Sequence, residues 1–364
     1  NFTVVERDKQ VGGLAKTYQF GEFRTDNGPH RFFSKNKYLY EFIDNLLGKR
    51  WIKVDRFTRF YAKGKYYKYP LELKDILANI GPISASWALI SYLAARVKFY
   101  GKETRNFEEY AVSTFGKSIA DFSILNYTEK TWGVPCSQLS TDWAKQRIRG
   151  LTIKSLVTKM TKVSKNEPKT LVDQFYYPEL GTGLIYEEIL KVIGEDRVSL
   201  EMEPVQIVHN KKRIVKVILN NGELRSPGCL VSSIPITSFI KLLRPLPPKA
   251  IIKAARNLRY RSQVYLFLTI DRLQVSKDQW IYFPDKEVPF ARISEMKNFS
   301  EKMSPPNKTS LFIEFFCWEG DEVWNKSKEE LFELGIGWLE KLGLVKREEI
   351  IDVYHIKQKD IYPV

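Results

Sequence analysis

The sequence predicts an α/β fold: a Rossmann-like core, a second region built on a mixed sheet, and a helical insertion between them. Three observations carry that prediction. The chain opens "NFTVVERDKQVGGLAKT", an apolar β-branched run that ends in Glu6 with Gly12-Gly13 after it. A second strand of a nucleotide-binding fold finishes in this way. Residues 72–128 read mostly as helix, and from Val198 onward the apolar period changes to two. Helices and strands are therefore interleaved without strict βαβ alternation.

Taken in order, residues 1–6 read as a strand and Gly12-Gly13 as a turn. "YQFGEFRTDNGPHRFF" reads as a short hairpin followed by a loop. Residues 36–48 have helical apolar spacing at Tyr40, Phe42, Ile43, Leu46 and Leu47, with Gly48 as the C-cap. "RFTRFYAKGKYYKYP" alternates about a Lys-Gly turn, the signal of a hairpin. The long helical stretch has breaks at Gly81-Pro82, near Gly101 and near Gly116, and Asn106 caps "FEEYAVSTF" with Glu109 three residues on. "VQIVH", "RIVKVILN", "CLVSSIP", "SQVYLFLTID", "WIYFP" and "TSLFIEFFCW" read as strands, with Asn221-Gly222 closing a turn. "KEELFELGIGWLEKLG" reads as an amphipathic helix.

The chain has 364 residues, 43% of them apolar and 28% charged, which is the composition of a folded protein rather than a disordered one. Its net charge of +15 suits an anionic membrane surface or an anionic substrate. No long basic tail or nucleic-acid motif accompanies it, so nucleic-acid binding is not expected. Cys136, Cys229 and Cys317, like His30, His209 and His355, are scattered without metal-ligand spacing. A sparse, odd cysteine count points to a reducing compartment, and a cytoplasmic protein is the expectation. No signal peptide is read in the first residues. Residues 76–95, "ILANIGPISASWALISYLAA", are uncharged over the length of a bilayer span, but Gly81-Pro82 and several polar residues interrupt them. A helical hairpin packed on the protein is the leading expectation there, with a monotopic membrane patch, and so a peripheral membrane protein, as the alternative.

An acid at the end of the second strand can accept from both ribose hydroxyls of an adenosine, and Glu6 is in that position. Adjacent Gly12 and Gly13 let the backbone approach a diphosphate, though an ordinary turn would look the same. Lys16 and Thr17 follow with a cation and a hydroxyl.

Here the residues resemble a known superfamily. "ERDKQVGGLAKT" is similar to the post-strand segment of FAD-dependent enzymes of the amine oxidase and protoporphyrinogen oxidase type. "DNGPHRFFS" resembles the next segment in the UDP-galactopyranose mutase-like branch, where a Gly-x-His-x-Phe element runs past the flavin; Gly28, His30 and Phe32 match it. "NYTEKTWGVPCSQLSTDWAKQRIRG" resembles a mutase motif whose Trp borders the sugar-nucleotide pocket, here Trp132, with a following Arg at the substrate diphosphate, here Arg147 or Arg149. "FYYPELGTGLIYEEI" resembles the segment that returns to the flavin, with Tyr176 and Tyr177 as an aromatic wall and Gly181 and Gly183 as a close approach. The resemblance covers roughly residues 2–240 and departs from the mutase pattern between Gly133 and Leu151.

The resemblance implies a FAD-binding Rossmann-like core of the GR2 type. It divides the chain into residues 1–35 and 181–240 on the FAD-binding side, 36–180 as a substrate and helical region, and 241–364 as a substrate-domain sheet with a C-terminal helix. It implies FAD held by Glu6, Gly12, Gly13, Lys16, Thr17, Gly28, His30 and, through its backbone, Val205. A small-molecule substrate, in one branch a sugar nucleotide, would lie against Trp132, Arg147, Arg149 and Tyr177. His30 would tune the ring electrostatically rather than act as a general base, and no catalytic residue is assigned. The first expectation for the reaction is oxidation, with hydride passing from substrate to flavin N5. The first alternative is a mutase, in which reduced flavin attacks the anomeric carbon and releases the diphosphate reversibly. The glycine loop of a first strand is not in the sequence, so the expectation is a portion of a larger protein, or else a degenerate, non-catalytic paralogue.

Overall fold

A computed structural model describes residues 2–69, 73–143 and 173–364. Its largest element is a seven-stranded sheet in the order Ile350–Pro363, Tyr260–Ile270, Thr309–Cys317, Arg292–Glu295, Trp280–Tyr282, Thr58–Ala62 and Lys65–Lys68. All neighbours are antiparallel except Trp280–Tyr282 beside Thr58–Ala62, which run parallel. Side chains alternate across a strand, and both faces of the central pair are buried. Val264, Leu266, Leu268 and Ile270 pack with Ile313 and Phe315 under the helix Lys328–Lys341, through Leu331, Ile336 and Leu339. Ser327 and Glu330 cap that helix reciprocally, which fixes where it starts over the sheet. Tyr265, Phe267 and Phe312 point the other way, toward Phe175, Tyr177, Met296, Phe299 and Met303.

Two of the smaller strand pairs pack on that second side, and a third group of strands has its own cluster around Ile207, Val217 and Leu219. The hairpin Thr17–Phe20 and Phe23–Asp26 brings Phe20 and Phe23 onto the aromatic layer. Trp51–Asp55 pairs antiparallel with Gln174–Pro178. Val4–Val5 pairs in parallel with Val198–Ser199, and Pro204–His209 lies inside a four-stranded sheet with Ile214–Leu219, Leu224–Arg225 and Leu243–Arg244.

The local expectations that rest on caps and turns appear in place. Asn36 caps Lys37–Leu47, which ends at Gly48. Lys63 and Gly64 take the positive φ of a tight hairpin turn. Asn106 accepts from the Glu109 amide. Leu73–Lys98 is broken at Gly81, where φ is 78° and ψ 164°. Gly116 seats the next turn against this helix so closely that a Cβ there would lie 2.6 Å from the Tyr92 nitrogen.

Three local expectations change. The opening strand is confined to Val4–Val5. "CLVSSIP" is not a strand: no neighbour offers it a ladder among the described residues, and Val231 is 91% exposed. The long strand Ile350–Pro363 follows the last helix, where alternation is masked by interspersed charges such as Asp352, Lys357 and Asp360.

Candidate functional site

Asp26 ends the hairpin's second strand and is wholly buried. Four donors converge on its carboxylate: Thr17 Oγ1 at 2.5 Å, Tyr177 Oη at 2.6 Å, the Thr182 amide at 2.9 Å and Thr182 Oγ1 at 2.7 Å. Thr17 Oγ1 in turn accepts from the Gly183 amide at 2.8 Å. The carboxylate thus joins the hairpin, the strand Gln174–Pro178 and the start of the helix Gly183–Ile193. Gly181 makes this approach possible, because a Cβ on it would lie 2.7 Å from Asp26 Oδ1, and its φ is +100°.

From Asp26 the chain runs through Asn27 and Gly28 to His30, beneath a buried ion pair on neighbouring strands. Arg292 faces Glu314 across the ladder, and their side chains meet in two hydrogen bonds, Nη2 to Oε1 at 2.9 Å and Nε to Oε2. Burial opposes the Arg292 charge, and the Glu314 carboxylate outweighs it, so the guanidinium is held well above its ordinary pKa. Gly28 is pressed to this pair, since a Cβ there would lie 2.9 Å from Glu314 Oε1. Burial pushes the His30 imidazole down, Asp26 and Glu314 pull it back up, and Arg292 works with burial. The ring is therefore neutral at neutral pH.

Hydroxyl-bearing rings surround the pair. Tyr282 lies beside Arg292, 5.9 Å from guanidinium to ring centroid, and meets the Tyr127 ring edge-on at 5.1 Å. Burial raises the Tyr127 hydroxyl far above its usual range, against the pull of Arg292. Tyr265 donates to Gln263 Oε1 at 2.5 Å, and burial holds its hydroxyl protonated.

Two cations, Lys130 half-buried and Arg261 buried, brace the helix Asn126–Trp132, which carries Tyr127. Lys130 Nζ donates to the carbonyls of Phe283, Asp285, Val288 and Phe290 at 2.8, 2.7, 2.7 and 3.1 Å. This ties the helix to the loop between Tyr282 and Arg292. Burial pushes Lys130 down to about 7, while the carbonyl cage favours its ammonium form. Arg261 Nε donates to the Thr131 carbonyl at 3.1 Å and its guanidinium lies 4.7 Å from the Trp318 ring centroid.

The residues expected from the sequence are spread over this frame unevenly. Glu6 Oε1 accepts from the Asp8 amide at 2.8 Å, at the end of the two-residue strand. Gly12 and Gly13 have φ of 109° and 54°, the left-handed conformation of a turn. Lys16 is bonded to Asp8 and lies 4.9 Å from the Tyr18 ring centroid; burial lowers its pKa, but Asp8 and Tyr18 overcome this and hold the ammonium above its usual value. Thr17 is engaged by Asp26, so its hydroxyl braces the site from behind. Tyr177 is fully buried for the same reason, and Tyr176 stacks on Trp51 at 5.4 Å. Trp132 packs edge-on with Trp143 at 4.8 Å and tilted against Tyr362 at 5.6 Å. Val205 stands half-exposed on Pro204–His209. Arg147 and Arg149 lie outside the described residues.

Sequence reasoning passed over Asp26, Tyr127, Gln263, Arg292 and Glu314. A signal for the pair was present: Glu314 stands inside the apolar run "LFIEFF", and a charge in a buried strand needs an opposite charge across the ladder.

The family described as flavin containing amine oxidoreductase matches residues 1–355. The chain therefore belongs to the flavin-containing amine oxidoreductase family, and the cofactor expected from the sequence, FAD, is of the class this membership assigns. Among solved structures, a reduced UDP-galactopyranose mutase is 21% identical with a TM-score of 0.85, covering 100% of this chain and 79% of that one. A putative protoporphyrinogen oxidase from Exiguobacterium sp. 255-15 is 16% identical with a TM-score of 0.76, over 100% and 82%. A putrescine oxidase is 12% identical with a TM-score of 0.63, over 97% and 78%. These likenesses share the fold.

The site's own chemistry fits a flavin. Buried polar atoms ordinarily find partners, yet Asn27 Oδ1, His30 Nδ1 and Gln263 Nε2 have none among the described residues. An acceptor and an imidazole nitrogen flanking Gly28, and an amide donor two residues from Tyr265, are thus without partners among the described residues. The edge of a flavin ring, which carries both carbonyls and N–H groups, matches that set.

Proposed function

We propose that this protein is an FAD-dependent enzyme acting on an anionic, hydroxyl-rich small molecule of the sugar-nucleotide type, and that it isomerises this substrate without net redox change. Arg292 carries the reading. It is a charged guanidinium kept in place by Glu314 and ringed by Tyr127 and Tyr282, where phosphate oxygens and sugar hydroxyls find donors. A cationic amine would find the Glu314 carboxylate already engaged by Arg292. Arg147 and Arg149, which lie outside the described residues, are the diphosphate contacts that the resemblance implies.

When bound, FAD supplies a ring that can exchange hydride or an electron pair with a substrate carbon. The chain's residues do the rest. Glu6, Gly12 and Gly13 take the adenosine and diphosphate end. Gly28 removes a side chain from the path between His30 and Glu314, and neutral His30 offers Nδ1 without adding charge. Asp26 locks the hairpin to Gly181 and Gly183, so the polar atoms facing the ring are preorganised. Net oxidation by hydride transfer is the second reading, favoured by the family's description. A degenerate, non-catalytic paralogue is the third; the intact set of open polar atoms speaks against it.

The test is a titration of the FAD-loaded protein with UDP-galactose, followed by flavin absorbance in the oxidised and the reduced state. Saturable changes are expected, and Arg292→Gln should weaken them about a hundredfold. No response to UDP-galactose in either state, together with bleaching of the oxidised flavin by putrescine, would overturn the reading.

A further inference from the structure

The helix Leu73–Lys98 turns an apolar face outward. Ile83, Trp87, Ile90 and Val97 follow one another at helical spacing and are 76%, 65%, 54% and 80% exposed. Leu89 and Leu93 widen the stripe on one side, and Tyr100 follows the helix end. The opposite side holds the buried residues Ala88 and Ala95, and the backbone at Tyr92 against which Gly116 is seated. A surface helix normally gives its outer face to polar residues, and a contiguous apolar patch of this kind marks an interaction surface.

We propose that this face is an interfacial membrane anchor that docks the protein on an anionic bilayer. Charge identifies the occupant. Between Asp75 and Glu103 the sequence carries Arg96, Lys98 and Lys102 and no other charge. All three cations are exposed at the helix's C-terminal end. Apolar side chains flanked by cations, with Trp87 within the stripe and Tyr100 beside the cations, match the layered chemistry of a lipid surface. A second copy of this chain would bring another net charge of +15 to the contact, which a neutral apolar patch does not compensate. The polar groups on the exposed face are compatible with partial insertion: Ser86 Oγ donates to the Pro82 carbonyl at 2.9 Å, so its hydroxyl needs no water. No helix among the described residues is long and apolar enough to cross a membrane, so this helix lies on the surface.

The experiment is co-sedimentation of the FAD-loaded protein with vesicles of phosphatidylcholine alone and of phosphatidylcholine with phosphatidylglycerol. The protein should pellet with the mixed vesicles on the order of a hundredfold more tightly, since each nearby cation contributes about fivefold. Ile83→Ser with Trp87→Ser and Ile90→Ser should weaken attachment by at least about a hundredfold while leaving flavin absorbance unchanged. Arg96→Gln with Lys98→Gln and Lys102→Gln should remove the preference for phosphatidylglycerol. Absence of sedimentation with either vesicle overturns the proposal. So does sedimentation that the triple serine variant does not reduce, or a dimer that this variant converts to a monomer, which would assign the face to a second copy.

Discussion

The two halves of the candidate site are built differently. On the side of the seven-stranded sheet, Arg292 and Glu314 sit on paired central strands, with Tyr265 beside Glu314 in the register and packed against Phe312. Asp26 satisfies four donors from three segments. On the side of the opening strand, Glu6 and Asp8 are tied by backbone bonds to Ser199, Glu201 and Met202 beyond a two-residue parallel pairing, and Val4, Leu14 and Val205 are exposed. The sheet side is therefore braced through its own contacts, and the proposed function leads us to expect the opening-strand side to gain order when FAD binds. Ligands should stabilise the second far more than the first.

Asp26→Ala should produce the largest effect. It leaves Thr17, Tyr177 and Thr182 without their acceptor and should cost about 5 kcal/mol, read by denaturant unfolding. A loss below about 1 kcal/mol would mean that the hairpin is held by its aromatic layer instead.

Arg292→Gln strands the Glu314 charge and should cost about 3–5 kcal/mol. The double variant Arg292→Gln with Glu314→Gln should regain most of that stability but not the response to UDP-galactose. If it regains both, the guanidinium is structural and does not face the substrate.

His30 gives the pH dependence. Its pKa is lowered on folding from an ordinary 6.5, so the unfolded chain binds the proton first as pH falls. Stability should be fully present above about pH 7 and decline below about 6.5, by up to about 1.4 kcal/mol per pH unit. His30→Gln should remove this component, as thermal melts across the pH range would reveal. A wild type and variant with parallel pH profiles would contradict it.

Glu6→Gln should have the smallest effect on the fold, within about 0.5 kcal/mol, because the amide oxygen can still accept from Asp8. FAD affinity should nevertheless fall about tenfold, measured by fluorescence titration. A stability loss comparable with that of Asp26→Ala would erase the contrast between the halves.

What was legible in the sequence follows the same division. Asn36, Gly48, Lys63-Gly64 and Asn106 act within a few residues of themselves, so the sequence displays their helices and turns directly. The positive φ of Gly12 and Gly13 fits the turn that the sequence displays there. The Asp26 junction was not, because Tyr177 and Thr182 lie 151 and 156 residues away. Thr17 and Tyr177 were read as ligand contacts because their chemistry suits that role, but the fold directs their hydroxyls to a buried carboxylate. Tyr127 sat inside a quoted motif, yet its neighbours Tyr282 and Arg292 come from another part of the chain and only the sheet brings them together.

The most direct measurement is anaerobic incubation of the FAD-loaded protein with UDP-galactose, with the products separated chromatographically and the flavin spectrum recorded throughout. The reduced protein should form an isomeric UDP-hexose of unchanged mass while the flavin stays reduced. Stoichiometric reduction of the oxidised flavin, with a product two hydrogens lighter, would contradict it and return the reaction to hydride transfer.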